Sequence, residues 1–398
     1  MLMCILASGA FYRLIMDGGA SEFGAMFLQY SGPLNHLSTL WAIAAGSVLT
    51  WAFLNRRVNV NALDALWLCL MAYGFSASLW AEYMRTSFST SLFVALAYAL
   101  VAVHMHLSGY NGVVRFHALF LGTILIGSFL AVLFVPSYGL SVGQHEGRWQ
   151  GLFTHKNTLG NLSAGVFVAF AWWFGRARQP LALCAMLASL VLIVASECST
   201  AMFNVALVSA VFVLLRFPTI RKWLFAYRFV LVTAAIAVSL FLSYATIEQK
   251  YYFEILGKES SFTSRDQIWR YVAGEITEAP WLGHGFQQLS AGNLQDDSSF
   301  RTAVGFVVLS AHNGFIDLLH SLGVVGFLLF LLVIFRLLQT VDPGPLFDLL
   351  LMYLCYLIVV NTFESFLLGF NMALIALMYV SRMVAARVSP PAGLESVR

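Results

Sequence analysis

Arg148, Trp149, His155, Lys156 and Asn157 crowd into one polar island, Gly147 to Gly160, between two long apolar segments. Cations and a titratable ring are costly beside hydrocarbon, so with indole and amide groups they fit a site for an anionic, sugar-like or phosphate-bearing ligand. The same residues also fit an interfacial anchor, because Arg and Trp gather at headgroup level.

A second group lies in the long hydrophilic stretch from about Glu248 to His312. It opens with Ser264-Arg265-Asp266 and carries Trp269, Val272 and Ile276 at helical spacing, which predicts a short helix on the membrane surface, ended by Pro280 and the glycines after it. His312-Asn313 closes the stretch. A histidine at the outer end of a helix can accept a proton near neutrality, or simply cap the span. Asp296-Asp297 reads as a solvated loop, and no H-E-x-x-H, D-x-D or Cys/His cluster appears in the outer segments. No metal site and no cofactor are therefore expected.

The elements that must hold these residues follow from composition. With 60% hydrophobic and 10% charged residues in 398, and a mean hydropathy of +0.80, the chain is too apolar for a soluble domain. Runs such as Leu34 to Leu54, Phe116 to Val135, Leu181 to Ala195, Phe229 to Ile247 and Gly314 to Phe335 predict an all-α, polytopic integral membrane protein. About twelve segments approach the roughly 20 residues that cross a bilayer core, in one membrane domain over 1–398. Leu2 to Met16 lacks a basic n-region and reads as the first span. The five cysteines are scattered without C-x-x-C spacing and read as small buried hydrophobes.

Charge placement orients the spans. Arg56, Arg57, Arg115, Arg176, Arg178, Arg216, Arg221, Lys222, Arg228, Arg336, Arg382, Arg387 and Arg398, 13 of the 22 Lys and Arg, fall in alternate connections and the C-terminal tail. Those connections are expected in the cytoplasm with both termini. The polar island, the Ser196 to Thr200 turn, the 248–312 loop and Asn361 to Asn371 then share the outer face. A transporter should instead carry its ionisable groups near the midplane, so the pattern favours an enzyme at the membrane edge over a lipid-glycan flippase.

Four segments in order resemble the O-antigen ligase and Wzy-type polysaccharide polymerase superfamily: Arg148 to Asn157; Ser196-Glu197-Cys198-Ser199-Thr200; Ser264-Arg265 through Trp269 with Pro280 to Gly283; and His312-Asn313 with Gly323 to Gly326. The His155-Lys156-Asn157 form is most similar to exopolysaccharide-production polymerases; many ligases have proline between the histidine and the asparagine. The resemblance implies a GT-C-like glycosyltransferase of the bacterial inner membrane, acting on a glycan carried by undecaprenyl diphosphate and needing no nucleotide sugar. It implies Arg148, Arg265 and His312 as catalytic residues: the arginines hold the leaving diphosphate and His312 takes the acceptor proton. Lys156, His155, Asn157, Asn313, Trp149 and Trp269 are the expected substrate contacts, although Trp149, Trp269 and Trp281 equally fit interfacial anchoring. Glu146 and Glu364 are candidates for sugar hydroxyls. A flippase and a chain-length regulator are the implied protein partners, with no role for nucleic acid. An O-antigen or protein-glycan ligase is the alternative within the same chemistry. One departure stands out: relatives often carry arginine or lysine at the position of Ser199, and Lys156 is the candidate substitute.

Overall fold

Apolar chain in a bilayer must satisfy its backbone internally, and the described residues do so with helices. The computed structural model describes residues 33–54, 60–142, 145–255, 265–289 and 310–386 except 368 and 370, with 3, 4, 8 and 10. All but those four residues of the expected first span, Arg56-Arg57, Ser264, the Asp296-Asp297 tip and the tail with Arg387 and Arg398 lie outside the described residues.

The helices are α1 (Pro33–Leu54), α2 (Ala62–Ser76), α3 (Met84–Phe134), α4 (Lys156–Ala177), α5 (Pro180–Ser196), α6 (Ser199–Leu214), α7 (Pro218–Ala226), α8 (Arg228–Ile255), α9 (Arg265–Glu278), α10 (Gly314–Thr340), α11 (Pro345–Phe363) and α12 (Met372–Ala385). Six helical stretches among the described residues are long and apolar enough to cross a membrane, or seven if α6 and α7, bent by 112°, form one span. Shorter apolar helices at Leu40–Ala52, α5 and α12 accompany them. Leu119, Phe134, Leu181, Val230 and Phe241 stand outward in the manner of a lipid-facing surface.

The longest helix is two. At Gly109 the backbone adopts φ 60°, ψ −177°, a conformation open to glycine and strained for other residues. Beyond it the chain doubles back. The His104 ring lies 5.0 Å from that of Phe116, whereas twelve residues of straight helix would separate them by about 18 Å. Both His104 and His117 then meet Tyr379 of α12.

Helix α10 is also interrupted, at Gly323 (φ 61°, ψ −167°). The break frees carbonyls on one side and N–H groups on the other, and the segment between α9 and α10 takes up both. His284 N and Gly285 N donate to the His320 and Ser321 carbonyls, and Val324 N and Val325 N donate to those of Pro280 and Trp281. A β-carbon on Gly323 would meet the Trp281 carbonyl at 2.4 Å. The Pro280 to Gly285 segment thus repairs a broken span.

α11 is the most enclosed of the spans, packing against α4, α6, α8, α10 and α12. α9 departs from expectation. Its apolar face, Ile268, Trp269 and Val272, is buried against Ala311 and Ile316 of the protein, because the start of α10 offers a fitted surface that lipid does not. Arg382 differs too: it lies in the last turn of α12 and not in a free tail, paired with Asp64.

Candidate active site

Helix direction builds the site. α4, α6, α9 and α10 all begin at one end of the molecule and α11 finishes there, at His155, Cys198, Arg265, Asn313 and Glu364 respectively. Helix N-termini present unpaired N–H groups and the positive end of the macrodipole, so four of them converging favour an anion. Arg176, Arg216 and Arg336 occupy the opposite ends of α4, α6 and α10.

Glu364 organises this end. Its carboxylate, 13% exposed, lies 3.2 Å from His312 Nδ1 and 3.6 Å from a guanidinium nitrogen of Arg265. It also accepts a 3.3 Å hydrogen bond from Asn157 Nδ2, while its backbone carbonyl accepts from Gly314 N. Burial pushes this carboxyl up, but the hydrogen bond and charge of His312, then Arg265 and His155, outweigh that and hold it below the ordinary carboxylate range. An ionised Glu364 makes His312 Nδ1 the donor and leaves Nε2 as the basic nitrogen, on a ring that stays 40% exposed. His312 has φ 48°, a left-handed conformation in which His, Asn and Asp are over-represented.

A second carboxylate extends the network. Arg148 Nε lies 2.8 Å from Glu197 Oε2, and its guanidinium is 3.1 Å from His145 Nδ1. Lys156 Nζ donates to the Glu197 carbonyl and to Asn157 Oδ1, each at 3.2 Å. Asn157 therefore links the Glu364 carboxylate to the Lys156 ammonium, which in turn reaches the backbone of Glu197. His155 caps α4, its Nδ1 accepting from Asn157 N. Its pKa is pushed down to about 4, by burial first, against the pull of Glu364 and with Lys156 and His312 repelling a further charge. His145 is also lowered, by burial, then Lys156 and Arg148. The histidines of the island are thus neutral, and its positive charge belongs to Arg148 and Lys156.

The structure brings together Arg148, His155, Lys156, Asn157, Arg265 and His312. Asn313 and Trp269, expected as substrate contacts, are buried and bonded within the protein. Asn313 has no exposed surface; it caps α10 through Phe315 N and Ile316 N and donates to Ser243 Oγ and the Thr362 carbonyl. Trp269 is buried and its indole N–H donates to the Ala311 carbonyl at 2.7 Å. Each sets the place of its neighbour, Asn313 that of His312 and Trp269 that of α9. Trp149 is half-buried, edge-on to Phe129 at 5.8 Å, and its backbone N donates to the Ala195 carbonyl. Trp281 is exposed. The sequence marks Glu364 as a candidate for sugar hydroxyls, whereas the structure makes its carboxylate the shared partner of His312 and Arg265. Its position at the end of an apolar run, on the face expected to carry His312 and Arg265, is the one signal in the sequence that points to it.

Residues 184–331 match the Wzy_C family model, described as O-Antigen ligase. The match contains Glu197, Arg265 and His312; Arg148, Lys156 and Glu364 lie outside it. A comparison with curated proteins finds no match to the chain.

Proposed function

We propose that this multi-pass membrane protein of the O-antigen ligase and Wzy superfamily polymerises oligosaccharide repeat units carried on undecaprenyl diphosphate. One observation carries the reading: one half-buried carboxylate, that of Glu364, holds a histidine and an arginine where helix N-termini converge. The acceptor hydroxyl attacks the anomeric carbon of the donor glycan. As the new carbon–oxygen bond forms, the bond from that carbon to the diphosphate oxygen breaks, and the hydroxyl proton passes to His312 Nε2. Arg265, Arg148 and Lys156 meet the charge left on the diphosphate, and Glu364 keeps the imidazole in its productive tautomer. The charge pattern supports an extracytoplasmic site with both termini in the cytoplasm. A flippase delivering the donor and a chain-length regulator are the partners this reading calls for.

The His155-Lys156-Asn157 form favours polymerisation; the description of the matched family favours a ligase, which would differ only in its acceptor. Purified protein in liposomes, given the lipid-diphosphate repeat unit alone, is expected to yield a ladder of chain lengths. Transfer only after a lipid-core or protein acceptor is added would make it a ligase. No transfer in either case, or a reporter fused within residues 287–300 reading cytoplasmic, would overturn the proposal.

A further inference from the structure

Glu275 of α9, His284 of the repairing segment and His320 of the short arm of α10 come from three parts of the chain, yet one ligand atom from each lies within 4.8 Å of the other two. The two imidazoles stack, with centroids 4.7 Å apart and planes at 22°. His284 Nε2 is 2.9 Å from the Glu275 backbone carbonyl. That nitrogen therefore carries the proton, and Nδ1 keeps its lone pair. A ring N–H fixed on a carbonyl is the usual outer support of a metal-binding histidine. His320 is 3% exposed, and its Nδ1 has no hydrogen-bond partner. A buried polar nitrogen in that state is costly and calls for a ligand.

We propose that Glu275, His284 and His320 form a site for a divalent transition-metal ion of the class zinc represents, clamping α9 to the break in α10. Two imidazoles and a carboxylate suit such an ion and leave one position for water. A tetrahedral ion with bonds of about 2.0–2.2 Å holds its ligands roughly 3.3–3.5 Å apart, so the ligand atoms must draw inward. Glu275 and His284 are half-exposed and can rotate to do so. The backbone hydrogen bonds from His284 and Gly285 to His320 and Ser321 already hold two of the three elements in register.

The clamp is a positioning device. Glu275 stands ten residues after Arg265 on α9, and His320 eight after His312 along α10. Tying them sets the spacing between the helix that carries the arginine and the helix that follows the base. The ion takes no part in the transfer, whose charge is met by protein cations, and the inference stands apart from the proposed activity.

The test uses the full chain in detergent, stripped with chelator and titrated with zinc, reading bound zinc per chain after gel filtration and the melting temperature. Wild type is expected to retain about one ion and to melt higher when it is bound. His284→Ala and Glu275→Gln should each weaken retention at least tenfold and abolish the shift, and both replace half-exposed side chains that the fold can spare. His145→Ala, at the other histidine pair, should leave both readouts as in wild type. Zinc retained equally by His284→Ala and Glu275→Gln, or none retained by wild type, would overturn the site.

Discussion

Two carboxylates, each beside an arginine, are treated oppositely by this fold. Asp64, near the start of α2, is 4% exposed and saturated: it accepts from Asn61 N at 2.8 Å, from the Tyr98 hydroxyl at 2.5 Å and from Arg382. Tyr98 stacks on Trp67, whose indole N–H is bonded to Ser381. Glu364 has longer contacts, 3.2 to 3.6 Å, and two of its partners, Arg265 and His312, keep a fifth or more of their side chains open to solvent. The first arrangement is sealed from solvent and locks α2, α3 and α12 together. In the second, Arg265 and His312 can trade part of their hold on Glu364 for a ligand. The same pair of residue types makes a bolt when sealed and a site when left loose.

Substitutions can break that contrast. The largest expected effect is on catalysis. His312→Asn keeps a residue that tolerates positive φ but removes the base, and should cut transfer at least 100-fold with normal membrane abundance. Glu364→Gln should cost roughly as much by losing the tautomer and the arginine contact. Transfer within about tenfold of wild type for either would refute the dyad. Asp64→Ala should act the other way: a stranded buried guanidinium costs on the order of 3–5 kcal/mol, read as lost membrane abundance and a lower melting temperature. If Asp64→Ala protein instead accumulates normally but is inactive, the two regions are not distinct in kind.

A smaller effect concerns the vacancy at Ser199. Lys156 Nζ reaches the Glu197 carbonyl, two residues before Ser199 at the start of α6, so its charge lies beside the position at which the family resemblance implies a basic residue. Lys156→Ala should lower turnover, and adding Ser199→Arg should restore part of it. A silent Lys156→Ala would reduce it to a headgroup contact. Arg148→Lys should be worse tolerated than Lys156→Arg, because a point charge cannot replace a two-pronged donor.

The smallest effect is on acid stability. His155 has a folded pKa of about 4 against an ordinary 6.5, so between those values the unfolded chain binds a proton that the folded chain refuses. Stability should therefore fall as pH drops through that window. His155→Asn retains a helix cap without the ring, and its melting temperature should fall less over the same range. Parallel curves for the two proteins would assign the acid sensitivity to another group.

Much of the fold was legible in the chain. The apolar runs at Leu34 to Leu54, Leu181 to Ala195 and Gly314 to Phe335 fall within α1, α5 and α10, since hydrocarbon demands apolar helix and hydropathy registers that locally; the interruption of α10 at Gly323 left no trace in hydropathy. The helix at Arg265–Glu278 was equally visible in the spacing of Trp269, Val272 and Ile276. What its apolar face would meet was not, because lipid and protein select the same side chains.

By itself, the sequence determined the membrane class, the end of the loop helix at Pro280 and its glycines, and the order of Arg148, Lys156, Arg265 and His312 along the polar segments. Those follow from composition and local pattern. Only the tertiary structure decided that Glu364, 52 residues beyond His312 and 99 beyond Arg265 in the chain, is the partner of both. It likewise turned Trp269 and Asn313 inward and drew Glu275, His284 and His320 together. Such pairings depend on where separate helices end in space, and no periodicity within a helix encodes the end of another.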